Sequence, residues 1–369
     1  GRWSPYIERR NRSGEYPVDD PLIRMNCDIL EPLCGAGTKL QLRARLVRED
    51  GAALPRLRRL TASLRNRSLP EIPTGESMAE DMPAEKILEV PACSQMVRDP
   101  EIGNIICNPT TMTVLLAGRG TQVLPEEMGL SCVDLVEGFG NWTYAAAAVG
   151  MYGYRAYARF GDYDLLRREI AAGRSVGVSV HYANSREKAE ERNLPYLEGA
   201  PCTTPGHILT VRGFGTEEGQ EYVYVCDSAA ERDEEAHLRY RKEQFLEAWS
   251  GRLCYLVDAE PETQEGLSVP AFQDVRVKKT SSGRYQWVLQ ERPFPVFPEM
   301  LTEKRRVPGR MTMMIRARRE YPNPRMDAND CFLYPQPESD GSFVLPAGDW
   351  TLYLMSNTGE RWRAYQTEL

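Results

Sequence analysis

The chain has 369 residues, 41% of them hydrophobic and 27% charged, with a net charge of -7 at neutral pH. At roughly 150 residues per domain this length leads us to expect two or three domains, each able to bury a core without disulfides. The acidic balance disfavours nucleic acid and anionic lipid as partners, and no window holds the about 18 apolar residues of a membrane span.

The first residues, GRWSPYIERRNRSGEY, carry no apolar leader core. Nine cysteines, odd in number and without a C-x-x-C pair, form neither a disulfide framework nor a zinc site. Free thiols fit a reducing compartment. The expectation is a soluble chain, cytoplasmic or exported with its leader removed.

In chain order, residues 1–68 contain KLQLRARL, where Leu40, Leu42, Ala44 and Leu46 alternate with Gln41, Arg43 and Arg45. That is the period of a half-buried strand, and we expect a β-sandwich-like domain here. Its arginines read as an outer sheet face rather than a nucleic-acid site. Residues 69–87, rich in Pro and acidic residues without periodicity, read as a linker.

Residues 88–258 change character. PTTMTVLLAGRG, WTYAAAAVGMYGY and YDLLRREIAAG have helical length and spacing and end near Gly. The four alanines at 145–148 suit close helix packing. Then come the β-rich runs SVGVSVHY, HILTVRGFG, YVYVCD and RLCYLVD, with one more helix, RKEQFLEAW, before the last. Helices followed by an antiparallel sheet make an α+β domain. A second linker covers 259–270, and 271–369 repeats short strands (RYQWVLQ, MTMMIRA, DWTLYLMS) between the turn signals SDGS and PAGD, so a second β-sandwich-like domain is expected.

Three histidines filter the candidate chemistry. His207 follows a Pro205-Gly206 turn and opens a strand, while Asp227 ends the next apolar strand, where a hairpin would set it beside His207. Cys107 heads a helix, whose N-terminal amides favour a thiolate, as does a neighbouring imidazolium. Pro109 is preset for the first helical turn, and Asn108 and Thr110 are short polar residues able to cap it. Gln95, twelve residues earlier, supplies an amide for a developing oxyanion.

Gln95, Cys107, His207 and Asp227 thus form an acyl-transfer set in chain order. Trp142, Asn108 and Gly206 are expected to line the substrate groove. His181 and His237 are spare, and Cys226 should point away from Asp227 and pack. No P-loop, H-E-x-x-H or dinucleotide fingerprint is present, so neither metal nor cofactor is expected.

These motifs, SQ ahead of CNPT, GNWTYAAA with RF beyond it, GHILTVRGF and VCDSA, resemble the papain-like cysteine peptidases related to the bacteriocin-leader-processing (double-glycine) peptidases. The likeness is to stand-alone bacterial members and covers about residues 88–258. It implies a papain-like fold with Cys107 as nucleophile, His207 as general base and acid, Asp227 as orienter and Gln95 as oxyanion donor, acting on a peptide or protein. Relatives usually show Cys-Gly-Pro or Cys-Ser-Pro where this chain has Cys107-Asn108-Pro109, and an aromatic residue where it has Ile106.

Two other readings stand beside the peptidase. The same thiol could run amide transfer or deamidation, or the β domains could serve as a non-catalytic binding module for a cell-wall or protein ligand.

Overall fold

The structure, a computed structural model, describes residues 21–26, 29–33, 35, 37, 39–44, 46, 57, 59–66, 82–98, 102–132, 138–258, 275–281, 283–289, 292–293, 312–318, 332–333, 342–346, 348–357 and 362–369. Residues 69–81 of the first expected linker and 259–270 of the second lie outside them.

A short hairpin, β1 (Ile23–Asn26) with β2 (Ile29–Pro32), comes first. The strand expected at 39–46 is not formed: residues 39–44 and 46 belong to no strand, and Leu40, Leu42 and Leu46 are 44–48% exposed. Alternation yields a strand only where a neighbouring edge takes its hydrogen bonds and its apolar face. No described strand does so here. The end of the first linker is also corrected, because Lys86–Ile87 forms β3, paired with Phe214 and Gly213.

The central segment continues through α1 (Cys107–Ala117), α2 (Pro125–Cys132), α3 (Trp142–Gly150), β4 (Ala156–Phe160), α4 (Tyr163–Ala171), β5 (Val176–Tyr182) and α5 (Arg186–Arg192). It closes with β6 (Thr204–Glu217), β7 (Gln220–Cys226), β8 (His237–Arg241), α6 (Lys242–Ala248) and β9 (Trp249–Val257). The strands make one antiparallel seven-stranded sheet in the order β4-β9-β5-β6-β7-β8, with β3 added to β6. This mixture of helix and antiparallel sheet is the expected α+β arrangement.

Side-chain alternation builds a core on each face of the sheet. Val176, Val178, Val180, Tyr182, Leu209 and Val211 pack with Leu166 and Ile170 of α4 and Phe245 of α6. On the other face, Ile208 and Tyr255 meet Met112, Leu115 and Leu116 of α1 and Ala145 and Ala148 of α3. Each fully buried aliphatic side chain contributes about 1.5–3 kcal/mol.

Helix α1 is buried from Asn108 to Leu116, its polar Asn108, Thr110, Thr111 and Thr113 included. Its close approach to the sheet depends on Gly177, where a Cβ would stand 2.9 Å from Thr111 Cγ2 and 3.2 Å from the Tyr255 ring. Thr111 Oγ1 then donates to the Ile208 carbonyl at 3.0 Å. The start of α1 is thereby pinned beside the residue that follows His207.

Strands β6 and β7 join through Glu218 and Gly219, both at positive φ (50° and 81°), the geometry of a two-residue hairpin turn matched to strand twist. This hairpin brings the chain back along β6, so that Cys226 pairs with Thr210 and Asp227 follows at the strand end.

Residues 59–66 lie along β4, an edge of the sheet. Ser63 Oγ accepts the Phe160 amide at 2.9 Å, the Arg59 guanidinium sits 4.6 Å from the Tyr157 ring centroid, and Arg65 donates to the Gly251 carbonyl. C-terminal to the central segment the described elements are all strands: β10 (Val275–Ser281), β11 (Arg284–Leu289), β12 (Arg292–Pro293), β13 (Thr312–Arg318), β14 (Phe332–Leu333), β15 (Ser342–Val344), β16 (Thr351–Asn357) and β17 (Trp362–Glu368). They form two four-stranded antiparallel sheets, one of β10, β11, β12 and β15, the other ordered β14-β13-β16-β17. Among the described residues no helix is long and apolar enough to cross a membrane.

Candidate active site

Cys107 is the first residue of α1, and its N-cap, Ile106, provides no side-chain cap. The expected capping by Asn108 and Thr110 is therefore corrected. Asn108 is fully buried and turns inward, its amide donating to the carbonyls of Phe139 at 2.9 Å and Asn141 at 3.4 Å. Thr110 is also fully buried, and its hydroxyl has no hydrogen-bond partner among the described residues. The uncapped first turn leaves the amides at the helix start without intrahelical acceptors.

Asn108 thus holds the 139–141 loop from inside rather than lining an open groove. Asn141 is the N-cap of α3, its side chain accepting from the amides of Thr143 and Tyr144. That places Trp142 at the head of α3, half-buried and stacked on Tyr255 with ring centroids 4.1 Å apart.

His207 lies inside β6 opposite Val180, not at the mouth of the strand. The expected Pro205-Gly206 turn is instead an extended irregularity: the β5–β6 register shifts between Val180 and Tyr182, so that Tyr182 faces Thr204. A bulge absorbs Pro205, which has no N–H for the ladder. Gly206 is exposed, its amide and carbonyl both held by Thr204 Oγ1.

The imidazole of His207 is bonded through Nε2 to Asp227 Oδ1 at 2.8 Å, and the two side chains are 6% and 0% exposed. Its other nitrogen, Nδ1, is left for the Cys107 thiol, with which the ring also hydrogen-bonds. Asp227 further accepts from the Ala229 amide on Oδ1 at 3.0 Å, and on Oδ2 from the hydroxyls of Tyr240 at 2.7 Å and Tyr182 at 3.1 Å.

The electrostatics follow from these contacts. Burial pushes the Cys107 thiol up, but the hydrogen bond and charge of His207 and the backbone amides of Ile208 and Asn108 outweigh it, so its pKa lies below the ordinary thiol value. Burial works against a charged His207, yet Asp227 and Cys107 raise it well above the ordinary imidazole. Burial also opposes ionised Asp227; the imidazolium, the Ala229 amide and the Tyr240 hydroxyl reverse that and hold it below the usual carboxylate range. By contrast burial raises Cys93 and Cys202, and pushes Cys226 and Cys254 up to about 12.

Gln95 is 4% exposed and tied to the same turn as Asp227. Its amide N–H donates to the Ser228 carbonyl at 2.8 Å, and its Oε1 accepts from Ser228 Oγ at 2.8 Å. The side-chain Nε2 is thus the end left to donate. Gly103 lies against this turn, where a Cβ would stand 2.8 Å from the Gln95 carbonyl oxygen.

Sequence reading missed Ser228, Tyr182 and Tyr240 at this site. Tyr240 lies in ERDEEAHLRYRKEQ, whose charges suggest a solvated face; its signal was the alternation of Leu238 and Tyr240 with Arg239 and Arg241. His181 and His237 stand apart, His181 bonded to Ser250 and His237 at the start of β8. Cys226 packs with Val90, Cys93 and Val114 on the side away from Asp227, as alternation requires.

No curated protein was found to match the sequence. Among 53 matching chains of solved structures is digestive procathepsin L 3 of Tenebrio molitor larval midgut, 12% identical over 51% of this chain and 73% of that one, with a TM-score of 0.33. Another is proCathepsin B S9 from Trypanosoma congolense, 13% identical over 42% of this chain and 69% of that one, with a TM-score of 0.28. The model of the Peptidase_C39 like family matches residues 87–255, somewhat under half of the chain.

Proposed function

We propose that residues 87–255 hydrolyse peptide bonds through Cys107, His207 and Asp227, with Gln95 as oxyanion donor. One observation carries this reading: a buried, hydrogen-bonded His207–Asp227 pair presents its remaining ring nitrogen to a thiol at a helix start.

The Cys107 thiolate attacks the scissile carbonyl carbon, and the carbonyl π electrons move to oxygen. That oxyanion is met by the Cys107 backbone N–H and Gln95 Nε2 as charge develops on it. Imidazolium His207 gives its proton to the leaving amine as the C–N bond breaks, leaving an acyl-thioester. Water then attacks the thioester, His207 takes its proton, and the thiolate departs. Asp227 keeps the ring oriented and stabilises imidazolium without becoming protonated.

The test is incubation of the protein with a diverse peptide library, with the products read by mass spectrometry. New termini are expected with the natural chain, and none above background with Cys107→Ala or His207→Ala. Undiminished cleavage by a folded Cys107→Ala variant would sink the assignment.

A further inference from the structure

Resting on that reading, the geometry points to Tyr240 and Tyr182 as positioning residues of the site, their two hydroxyls fixing Asp227 as an ionised acceptor for His207. An ionised carboxylate offers about four lone-pair directions, and here each is used. Oδ1 takes His207 Nε2 and the Ala229 amide, and Oδ2 takes both tyrosine hydroxyls at 2.7 and 3.1 Å. Asp227 is 0% exposed, so bulk water cannot replace a lost donor. An unmet lone pair on a buried charge carries the full desolvation cost.

The two phenols approach from opposite sides. In the strand order β5-β6-β7-β8, His207 is on β6 and Asp227 ends β7, while Tyr182 comes from β5 and Tyr240 from β8. Side chains from three strands, β5, β6 and β8, therefore converge on the carboxylate at the end of β7, and rotating it would break its bonds to all three. The Tyr182 ring also stands edge-on to the His207 ring, with centroids 6.3 Å apart at 85°.

Burial and the charge of Asp227 raise both phenols, which remain protonated donors. The other titratable groups facing this carboxylate are His207 and, beside Tyr182, Cys202 with its sulfur 3.9 Å from that hydroxyl; Cys107 is reached through His207. Neighbouring Cys226 points to the opposite face.

The test is iodoacetamide labelling of Cys107, mapped by mass spectrometry across pH, in the full chain and in Tyr240→Phe, Tyr182→Phe and the double variant. Phe keeps the ring packing and removes only the hydroxyl, and thermal melts report folding. With a donor gone, Asp227 takes up a proton at higher pH, imidazolium loses its counter-charge, and the thiolate forms later. The acid-side midpoint should therefore rise by about one pH unit in each single variant, further in the double, with a lower plateau rate.

Labelling profiles that overlay the natural one in the folded single variants, whatever the melts do, would overturn the positioning role. Failure of the parent reading looks different. Cys107 of the natural chain would then label like an ordinary thiol and be indifferent to His207→Ala.

Discussion

Asp227 is held below its ordinary pKa, His207 above its own and Cys107 below the free thiol, in each case because the neighbouring groups together outweigh burial, which pulls the other way. A thiolate–imidazolium pair needs the folded Cys107 value to fall below the folded His207 value, and both shifts run in that direction. Turnover should follow a bell, falling on the acid side as Cys107 takes a proton and on the alkaline side as His207 loses one. A pH profile of kcat/KM, with its acid limb below the ordinary thiol and its alkaline limb above the ordinary imidazole, checks this. The stability signs agree. His207, raised from 6.5, stabilises fully below that value and less as pH climbs through its folded pKa. Cys107, lowered from 9.0, stabilises fully above that value and less as pH falls through its folded pKa. Ser228 gives a second prediction at this scale, because its hydroxyl holds Gln95 Oε1. Gln95→Ala should lower kcat about 100-fold or more, and Ser228→Ala about tenfold, the worth of one hydrogen bond to an aligned donor. Equal kcat in Ser228→Ala and the natural chain would remove Ser228 from the oxyanion side. Cys107 and Asp227 were legible because one opens a helix and the other follows an apolar strand, and His207 because it directly precedes the apolar run of β6. Ser228, Tyr182 and Tyr240 were not, because what marks them is convergence on Asp227 across strands distant in sequence.

Between the elements, the contact that sets the site is α1 against β5 and β6. Gly177→Ala would drive a Cβ into Thr111 and Tyr255, costing about 1–3 kcal/mol by overpacking. A lower Tm and slower labelling of Cys107 are the expected outcome; an unchanged Tm would show that α1 has room to shift. The apolar elements α1, α3, β5, β6, β7 and β9 were readable from the sequence, and so were the amphipathic α4 and α6. Others were hidden for definite reasons. Helix α5, REKAEER, buries no residue and is set by its Ser185 cap and by Asn193 at φ 51°. Helix α2, PEEMGLSC, is short and interrupted by Gly129. Strand β8 was masked by its arginines, and residues 39–46 show the converse, an alternating pattern without a partner strand.

For the molecule as a whole, residues 59–66 cover the β4 edge ahead of the family-matched segment. An uncovered edge presents unpaired backbone groups to other chains. Removing residues 1–68 should lower the Tm and increase concentration-dependent association, read by light scattering; a monodisperse truncated chain with the same Tm would show the edge needs no cover. The central claim, however, concerns one sulfur. Iodoacetamide labelling of the native full-length chain from pH 4 to 9, resolved cysteine by cysteine and repeated with His207→Ala, tests it most directly. Cys107 should label fast well below pH 8 and more slowly once His207 is lost, while Cys93, Cys226 and Cys254 stay slow. Labelling of Cys107 that rises only near the ordinary thiol value, with or without His207, would contradict it.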